Sequence, residues 1–117
     1  MTNEEFENLI ISDIIAQYPE YSDFLKKQFR SAKVIKRENT GHVFFTDYAI
    51  TDQSSRIDGS PDLTLGKHQW NLNELKYGGD YILCVKEGLI TCLEGFCYGE
   101  EQWPDEITEA EIIRKDK

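Results

Sequence analysis

The sequence predicts an α+β fold, with two N-terminal helices packed on an antiparallel sheet of about four to six strands. Apolar residues recur at helical spacing in the first part of the chain, follow strand-like patterns afterwards, and are separated by glycine-containing turns. Helices that precede a run of strands favour an antiparallel arrangement over alternating parallel units. Because 117 residues is close to the commonest size of one domain, we expect residues 1–117 to form a single α+β domain.

The first helix is predicted to begin after Thr2 and to end at Tyr18. Thr2 and Glu5 form a capping-box pattern, in which each side chain accepts a hydrogen bond from the backbone amide of the other residue. Pro19 disfavours helical backbone at the residue before it, so the helix should stop there. The apolar face of this helix consists of Phe6, Leu9, Ile10, Ile14 and Tyr18.

A second helix is predicted from Ser22, and one side of it is apolar while the other is basic. The inward side would carry Phe24, Leu25 and Phe29. The side facing water would carry Lys26, Lys27 and Arg30. We expect the two helices to cover one face of the sheet.

The residues after Ala32 predict a β-hairpin. Residues 33–38 show a weak alternation of apolar and polar side chains. Residues 42–50 are rich in the aromatic and β-branched side chains typical of strands. Asn39, Thr40 and Gly41 supply the turn, with Gly41 able to adopt a positive φ angle. In the second strand one face would carry Val43 and Phe45, and the other Phe44, Thr46 and Tyr48.

Several weaker patterns follow the first hairpin. Residues 51–62 are the longest polar stretch and predict an exposed loop. Short strands are predicted at residues 63–65 and 69–72, and a turn at residues 77–80. Near the C-terminus, residues 109–114 predict either an edge strand or a short helix that starts at Thr108.

The strongest pattern is a second hairpin, made of two apolar runs at residues 81–86 and 89–95 around Glu87-Gly88. Both faces are largely apolar, so we place it centrally in the sheet. With a two-residue turn, Cys84 and Cys92 would point to opposite faces and could not form a disulfide without a change of register. The predicted cross-strand pairs are Lys86–Leu89, Cys84–Thr91 and Leu83–Cys92.

The charge of the chain restricts its partners. Thirteen Lys and Arg oppose 22 Asp and Glu, which gives a formal net charge of −9. Such a chain repels phosphate backbones, so no nucleic-acid partner is expected. Residues 1–23 and 94–117 are the acidic parts and would suit a basic partner, although surface acids also serve solubility alone.

The cellular compartment is predicted from the length of the apolar runs and from the charge of the N-terminal residues. No run approaches the roughly 18 apolar residues of a membrane helix, and the N-terminus is acidic where a secretory signal would be basic. We therefore expect a cytoplasmic protein without a membrane partner. Cys84, Cys92 and Cys97 are an odd number of cysteines, which fits reduced thiols.

No reactive constellation is indicated. The cysteines lack the close pair typical of structural zinc sites, and the only histidines are His42 and His68, so no metal or cofactor is expected. Cys97 with either histidine would be a thiol–imidazole pair, but its acidic neighbours disfavour a thiolate. Adjacent carboxylates such as Glu100 and Glu101 could serve acid–base chemistry, yet such groups are usually only solvated.

The most unusual segment is residues 93–104, where aromatic residues, acids and glycines alternate. Rigid aromatic area beside charge is typical of recognition loops. The alternative is that the aromatic side chains close one end of the core. The candidate binding residues are Tyr98, Glu100, Glu101, Trp103, Asp105 and Glu106.

Two strings resemble a known family. Residues 37–46 fit the pattern Arg-x-x-Thr-Gly-x-x-Phe-Phe-Thr, and residues 93–104 fit Leu-Glu-Gly-x-x-Tyr followed by Trp-Pro. Together they resemble a family of small uncharacterised bacterial proteins with two N-terminal helices followed by antiparallel strands. The resemblance extends from about residue 34 to residue 104 and implies no catalytic residues. Some small acidic bacterial proteins of this build are immunity proteins that mask a toxin. His42 stands where a small or apolar residue is expected.

Three functions remain open from the sequence. The favoured one is a non-enzymatic protein-binding module whose acidic surface docks a basic protein, such as a toxin that it neutralises. The second is a small hydrolase or ligand-binding enzyme with carboxylates around a pocket. The third is a structural homodimer joined through a strand edge. The sequence sets neither the partner nor the oligomeric state.

Overall fold

Two helices and one antiparallel sheet form the part of the chain that the computed structural model describes, residues 1–66, 69–72, 77–99, 101–104 and 107–113. This confirms the predicted α+β class. None of the helices in these ranges is long and apolar enough to cross a membrane. The elements are α1 (Asn3–Gln17), α2 (Ser22–Ser31), β1 (Ala32–Asn39), β2 (Val43–Ile50), β3 (Leu63–Leu65), β4 (Gln69–Leu72), β5 (Gly79–Lys86), β6 (Leu89–Cys97) and β7 (Ala110–Ile113).

Within the described ranges the sheet has seven strands, in the order β1-β2-β6-β5-β4-β7, with β3 beside β5. Each pairing is antiparallel. β6 pairs along the whole of β5, so β3 and β4 share the other side of β5. β3 takes the part from Leu83 to Val85, and β4 takes Gly79 and Asp80. This sharing explains why the sheet has more strands than the four to six that were predicted.

Helix α1 has the predicted start and a partly different buried face. Thr2 N donates to Glu5 Oε1 at 2.8 Å, and Glu5 N donates to Thr2 Oγ1 at 3.1 Å, which is the expected capping box. The face against the sheet is wider than the apolar pattern indicated, because it also contains two acids. Its buried residues are Phe6, Glu7, Ile10, Ile11, Asp13 and Ile14.

One polar residue of helix α2, which the apolar pattern did not reveal, forms hydrogen bonds to the sheet and to the loop after β2. Gln28 is fully buried, and its Nε2 donates to the carbonyl oxygens of Ser55 at 3.0 Å and Gly88 at 2.8 Å. Its Oε1 accepts from Ile90 N at 2.8 Å. These bonds draw residues 51–62 against α2. The predicted exposure of that loop is therefore wrong at Ser55 and Ile57, which are both buried.

We predict that Gln28→Leu lowers the free energy of unfolding by about 2 kcal/mol. Leucine has a similar size but removes the partner of the Ser55 carbonyl and of the Ile90 amide, whereas Gly88 O keeps its bond from Ile57 N, and unsatisfied buried groups are destabilising. Urea denaturation would measure the change. Lys27→Leu, at the neighbouring exposed position, is the control and should stay within about 0.5 kcal/mol. Equal effects at the two positions would contradict the role of Gln28.

The central hairpin forms at the predicted turn, but its register differs beyond the turn. Lys86 lies opposite Leu89 as predicted, whereas Cys84 lies opposite Cys92 rather than Thr91. The register shifts between Cys84 and Val85, so Thr91 is the extra residue of a β-bulge. The predictions that the two cysteines face opposite sides and that Leu83 pairs with Cys92 are therefore wrong. One inserted residue moves the side chain of every later residue in the strand to the opposite face of the sheet.

The outer elements of the sheet agree with their patterns. In β2, Phe44, Thr46 and Tyr48 are buried, while Val43 and Phe45 are half-buried. The alternation predicted for this strand is confirmed. Of the two alternatives for the C-terminal segment, the structure shows the strand: β7 pairs with β4 and forms one edge of the sheet, and β1 forms the other.

Candidate functional site

A cleft of about 230 Å³ opens between the first turns of α1 and the β1–β2 hairpin. It lies at the end of the sheet that carries the turn at Gly41, opposite the end that carries the β5–β6 turn. Aromatic, charged and amide side chains all contribute to its wall. The lining residues are Asn3, Phe6, Glu7, Arg37, Glu38, Asn39, Phe44, Phe45, Thr46, Trp103 and Pro104.

The apolar part of the cleft is a cluster of aromatic rings around Trp103. The ring centroid of Trp103 lies 4.2 Å from that of Phe44, 5.3 Å from Phe6 and 5.2 Å from Trp70. Its backbone amide donates to Gly41 O at 2.6 Å. Only 9% of Trp103 is exposed. This residue therefore belongs to the core, which is the alternative to a recognition role, and it also lines the cleft.

The charged part of the cleft is an ion pair between α1 and β1. Arg37 donates from Nε and Nη2 to the two carboxylate oxygens of Glu7, each at 2.8 Å. Thr46 Oγ1 donates to Glu7 Oε2 at 2.6 Å. The Glu7 side chain is 4% exposed and that of Arg37 is 38% exposed. The hydrogen bond to Glu7 raises the pKa of Arg37, and the two residues form a bidentate contact in the lining of the cleft.

The two strings that carry the family resemblance meet beside this cleft. β2 pairs with β6, so that Phe44 lies opposite Gly95. Cys97 N donates to His42 O at 2.8 Å, and His42 Nδ1 lies 2.7 Å from the Glu101 carbonyl oxygen. Residues 37–46 and 93–104 are thus one structural unit, although they are distant in the chain.

The other candidate binding residues lie away from the cleft or outside the described residues. Tyr98 is half-buried, and its hydroxyl accepts from Gln69 Nε2 at 2.6 Å. The Glu101 carboxylate accepts from Tyr77 N at 2.6 Å. Neither lines the cleft, and of the three candidates that the structure describes, that role falls to Trp103. Glu100, Asp105 and Glu106 lie outside the described residues.

Cys97 lies in an environment that disfavours ionisation of its thiol. Cys97 is 9% exposed, and burial, with a smaller contribution from Glu101, raises its pKa to about 11. A thiol with such a pKa is almost entirely protonated at neutral pH and is a poor nucleophile. His68 lies outside the described residues. Within the ranges that the structure describes, no three His, Cys, Asp or Glu side chains come close enough to hold a metal ion.

A second buried polar cluster connects α1 to β5. Tyr81 Oη donates to Asp13 Oδ2 at 2.6 Å, and Gln17 Nε2 contacts both of these oxygens, at 2.7 Å and 2.9 Å. Burial, together with the bond to Asp13, raises the pKa of the Tyr81 hydroxyl. The cluster lies beneath the helix, with Tyr81 fully buried, so its role is to position α1 on the sheet.

Comparison with protein-family models, with curated proteins and with solved structures found no match for this chain. The fold and the cleft define its class: an α+β protein with one helical layer and a cleft of mixed aromatic and charged character.

Proposed function

We propose that this chain is a non-enzymatic protein-binding module that masks a basic partner protein, as immunity proteins mask toxins. The observation that carries the proposal is that an exposed carboxylate lies beside aromatic rings in the wall of the cleft. Glu38 lines the cleft, and its side chain is 51% exposed. Glu4 follows the lining residue Asn3 in the first turn of α1 and is close enough to raise the pKa of Arg37.

This combination suits a lysine or arginine side chain of the partner. The aliphatic part of such a side chain packs on aromatic rings, while its charged end stays at the polar rim. Glu38 is held by Lys36 at 2.8 Å, but both side chains are more than half exposed. An exposed pair of this kind contributes little to stability, so a cation of the partner can replace Lys36 at small cost.

The rest of the chain supports the same partner chemistry. The formal net charge of −9 would attract a basic protein from a distance and speed the encounter, while contacts in the cleft would set the lifetime of the complex. Four of the residues that line the cleft, Arg37, Phe44, Thr46 and Trp103, also belong to the two sequence patterns that resemble the family of small bacterial proteins.

The test is binding to basic proteins encoded in reading frames adjacent to the gene, measured by titration calorimetry. We expect affinity to fall between about 50 and about 300 mM NaCl, because salt screens charge attraction. Glu38→Lys should weaken binding about tenfold or more by placing like charges together. Asp58→Lys makes the same charge change at an exposed position near the β5–β6 turn, and it should change affinity less than about threefold.

The proposal fails if a basic neighbour binds with an affinity that neither salt nor Glu38→Lys alters, or if none of these proteins binds. Trp103→Ala is not a suitable variant, because Trp103 belongs to the core and its loss would alter the fold. Circular dichroism of Glu38→Lys and Asp58→Lys should match that of the unaltered protein, since both positions are exposed.

A small-molecule ligand is the second candidate, and one observation favours it: the cleft contains three titratable side chains, Glu7, Arg37 and Glu38. Both oxygens of Glu7 already accept hydrogen bonds from Arg37. A reaction that uses Glu7 as an acid or base would first have to break this pair. Glu38 would then be the accessible carboxylate, and a ligand that binds here should raise the melting temperature of the protein.

Addition of a second copy to the β1 edge is disfavoured by the edge itself. Val34 and Ile35 are exposed, at 42% and 66%, which would suit a homodimer. However, the register is irregular between Val34 and Lys36, and Lys33 and Lys36 add charge on either side. Bulges and lysines are the features by which edge strands avoid pairing with another chain.

A further inference from the structure

The β-bulge in the central hairpin brings two thiols together on the face of the sheet away from the helices. Cys84 in β5 and Cys92 in β6 are directly opposite each other. Their neighbours Leu83 and Leu93 are fully buried on the inner face, so the cysteines point outward. Both are half-buried free thiols. Opposed residues in antiparallel strands have Cβ atoms about 4.5–5.5 Å apart. The lower end of this range meets the upper end of the roughly 3.5–4.5 Å found in disulfides, so closure requires the two strands to approach each other slightly.

We propose that Cys84 and Cys92 are a modification site, a dithiol that closes to a cross-strand disulfide on reaction with an oxidised low-molecular-weight disulfide. The thiolate of one cysteine attacks a sulfur of the reagent, the S–S bond breaks, and one thiolate leaves. The second cysteine then attacks the mixed disulfide and releases the other half of the reagent. Two protein thiols are oxidised, one disulfide is reduced to two thiols, and two electrons are transferred. This inference does not depend on the proposed binding function.

The surroundings of the pair decide the order of the two steps. Asp47 lies opposite Cys92 in β2. Burial, followed by the effect of the Asp47 carboxylate, raises the pKa of Cys92 to about 12. Burial and the Glu94 carboxylate raise the pKa of Cys84 as well. Because Asp47 adds to the effect of burial at Cys92, we expect Cys84 to attack first and Cys92 to resolve the mixed disulfide.

The residues around Cys84 and Cys92 also determine how fast the disulfide forms. Thr64 of β3 lies across from Cys84, and Lys36 of β1 lies across from Asp47, so one row crosses four neighbouring pairs of strands. In this row and beside it, Asp47 and Glu94 oppose formation of a thiolate, and Lys36 forms an ion pair with Glu38 and interacts more weakly with Asp47. Oxidation should therefore be slow at neutral pH and faster in alkaline solution, where more thiolate is present.

The experiment is equilibration of the folded protein with mixtures of oxidised and reduced glutathione at about pH 8.5, the ordinary pKa of a thiol, followed by alkylation, trypsin digestion and mass spectrometry. Cleavage after Lys76, Lys86 and Arg114 separates Cys84, on residues 77–86, from Cys92 and Cys97, on residues 87–114. We expect these two peptides to be linked, with fragment ions that place the bond at Cys92. The link should persist in Cys97→Ser and disappear in Cys92→Ser.

A second measurement tests whether the native fold favours formation of the disulfide. The equilibrium constant for forming the disulfide should be about tenfold or more greater in the folded protein than in guanidinium chloride, because a disulfide that fits the native state is favoured by folding. Equal constants in the two conditions would overturn the proposal. So would a bond to Cys97, or exclusive formation of mixed disulfides with glutathione. Fragment ions of the unaltered protein decide this even if a variant fails to fold.

Discussion

Gly95→Ala is expected to lower the free energy of unfolding by about 3 kcal/mol or more, because it forces an additional carbon atom into a packed aromatic cluster. A Cβ at Gly95 would overlap Cε1 and Cδ1 of the Phe44 ring. Phe44 is 7% exposed and its ring packs at a tilt against that of Trp103, so it cannot move without displacing the cluster. Urea denaturation followed by tryptophan fluorescence should show a lower midpoint with an unchanged slope.

A double-mutant cycle tests whether Phe44 is the cause. In a Phe44→Leu background, Gly95→Ala should cost at least about 1 kcal/mol less than it does alone, since contacting residues are energetically coupled. Gly59→Ala is the control for backbone effects. Gly59 has a φ of +84° and no atom within 4 Å of an added Cβ, so only strain of about 1–2 kcal/mol is expected. Additive effects of Gly95→Ala and Phe44→Leu would contradict the explanation.

The elements of this fold could be predicted because their signals are local. The capping box at Thr2 and Glu5 needs only four consecutive residues, and it appears as expected. The turn at Glu87-Gly88 likewise depends on the ability of both residues to adopt positive φ angles, which they do, at 50° and 78°. Such signals are independent of the remainder of the chain.

The register of the central hairpin could not be predicted because a bulge has no comparable local signal. Thr91 is a good strand residue, and nothing in its neighbours indicates that it is the inserted one. The pairing beyond it is determined by which side chains the core accepts: with the bulge, Leu83 and Leu93 are opposite each other and both fully buried. Burial of the apolar residues therefore outweighs regular pairing.

The cleft could be predicted only in part. The segment around Trp103 was identified as unusual, but its contact with the core depends on how β2 and β6 pair. Glu7 was missed, although it follows the spacing of Ile11 and Ile14 on the same helix and is buried with them. An acid at such a position indicates a buried partner. The sequence does not identify Arg37 as that partner, because the two meet only through the packing of α1 beside β1.

Arg37→Met is expected to lower the free energy of unfolding by about 3 kcal/mol, because it leaves the buried Glu7 carboxylate without its cation. Thr46 would remain as a hydrogen-bond donor, and the partial exposure of the Arg37 side chain admits some water, so the value lies at the lower end of the usual range. Urea denaturation at pH 7 would measure it. Lys36→Met is the matched control, since the Lys36–Glu38 distance is also 2.8 Å but both side chains are exposed, and its effect should stay below about 1 kcal/mol.

The orphaned carboxylate, rather than lost packing, should account for most of the effect of Arg37→Met. Glu7→Gln removes the charge and keeps an oxygen that can accept from Thr46. In Arg37→Met/Glu7→Gln we therefore expect recovery of about half or more of the lost stability, because an uncharged amide is far cheaper to bury than a carboxylate. If the double variant is no more stable than Arg37→Met, or if Lys36→Met is equally harmful, the ion pair does not hold α1 to the edge of the sheet, and the cleft derives its shape from the aromatic cluster alone.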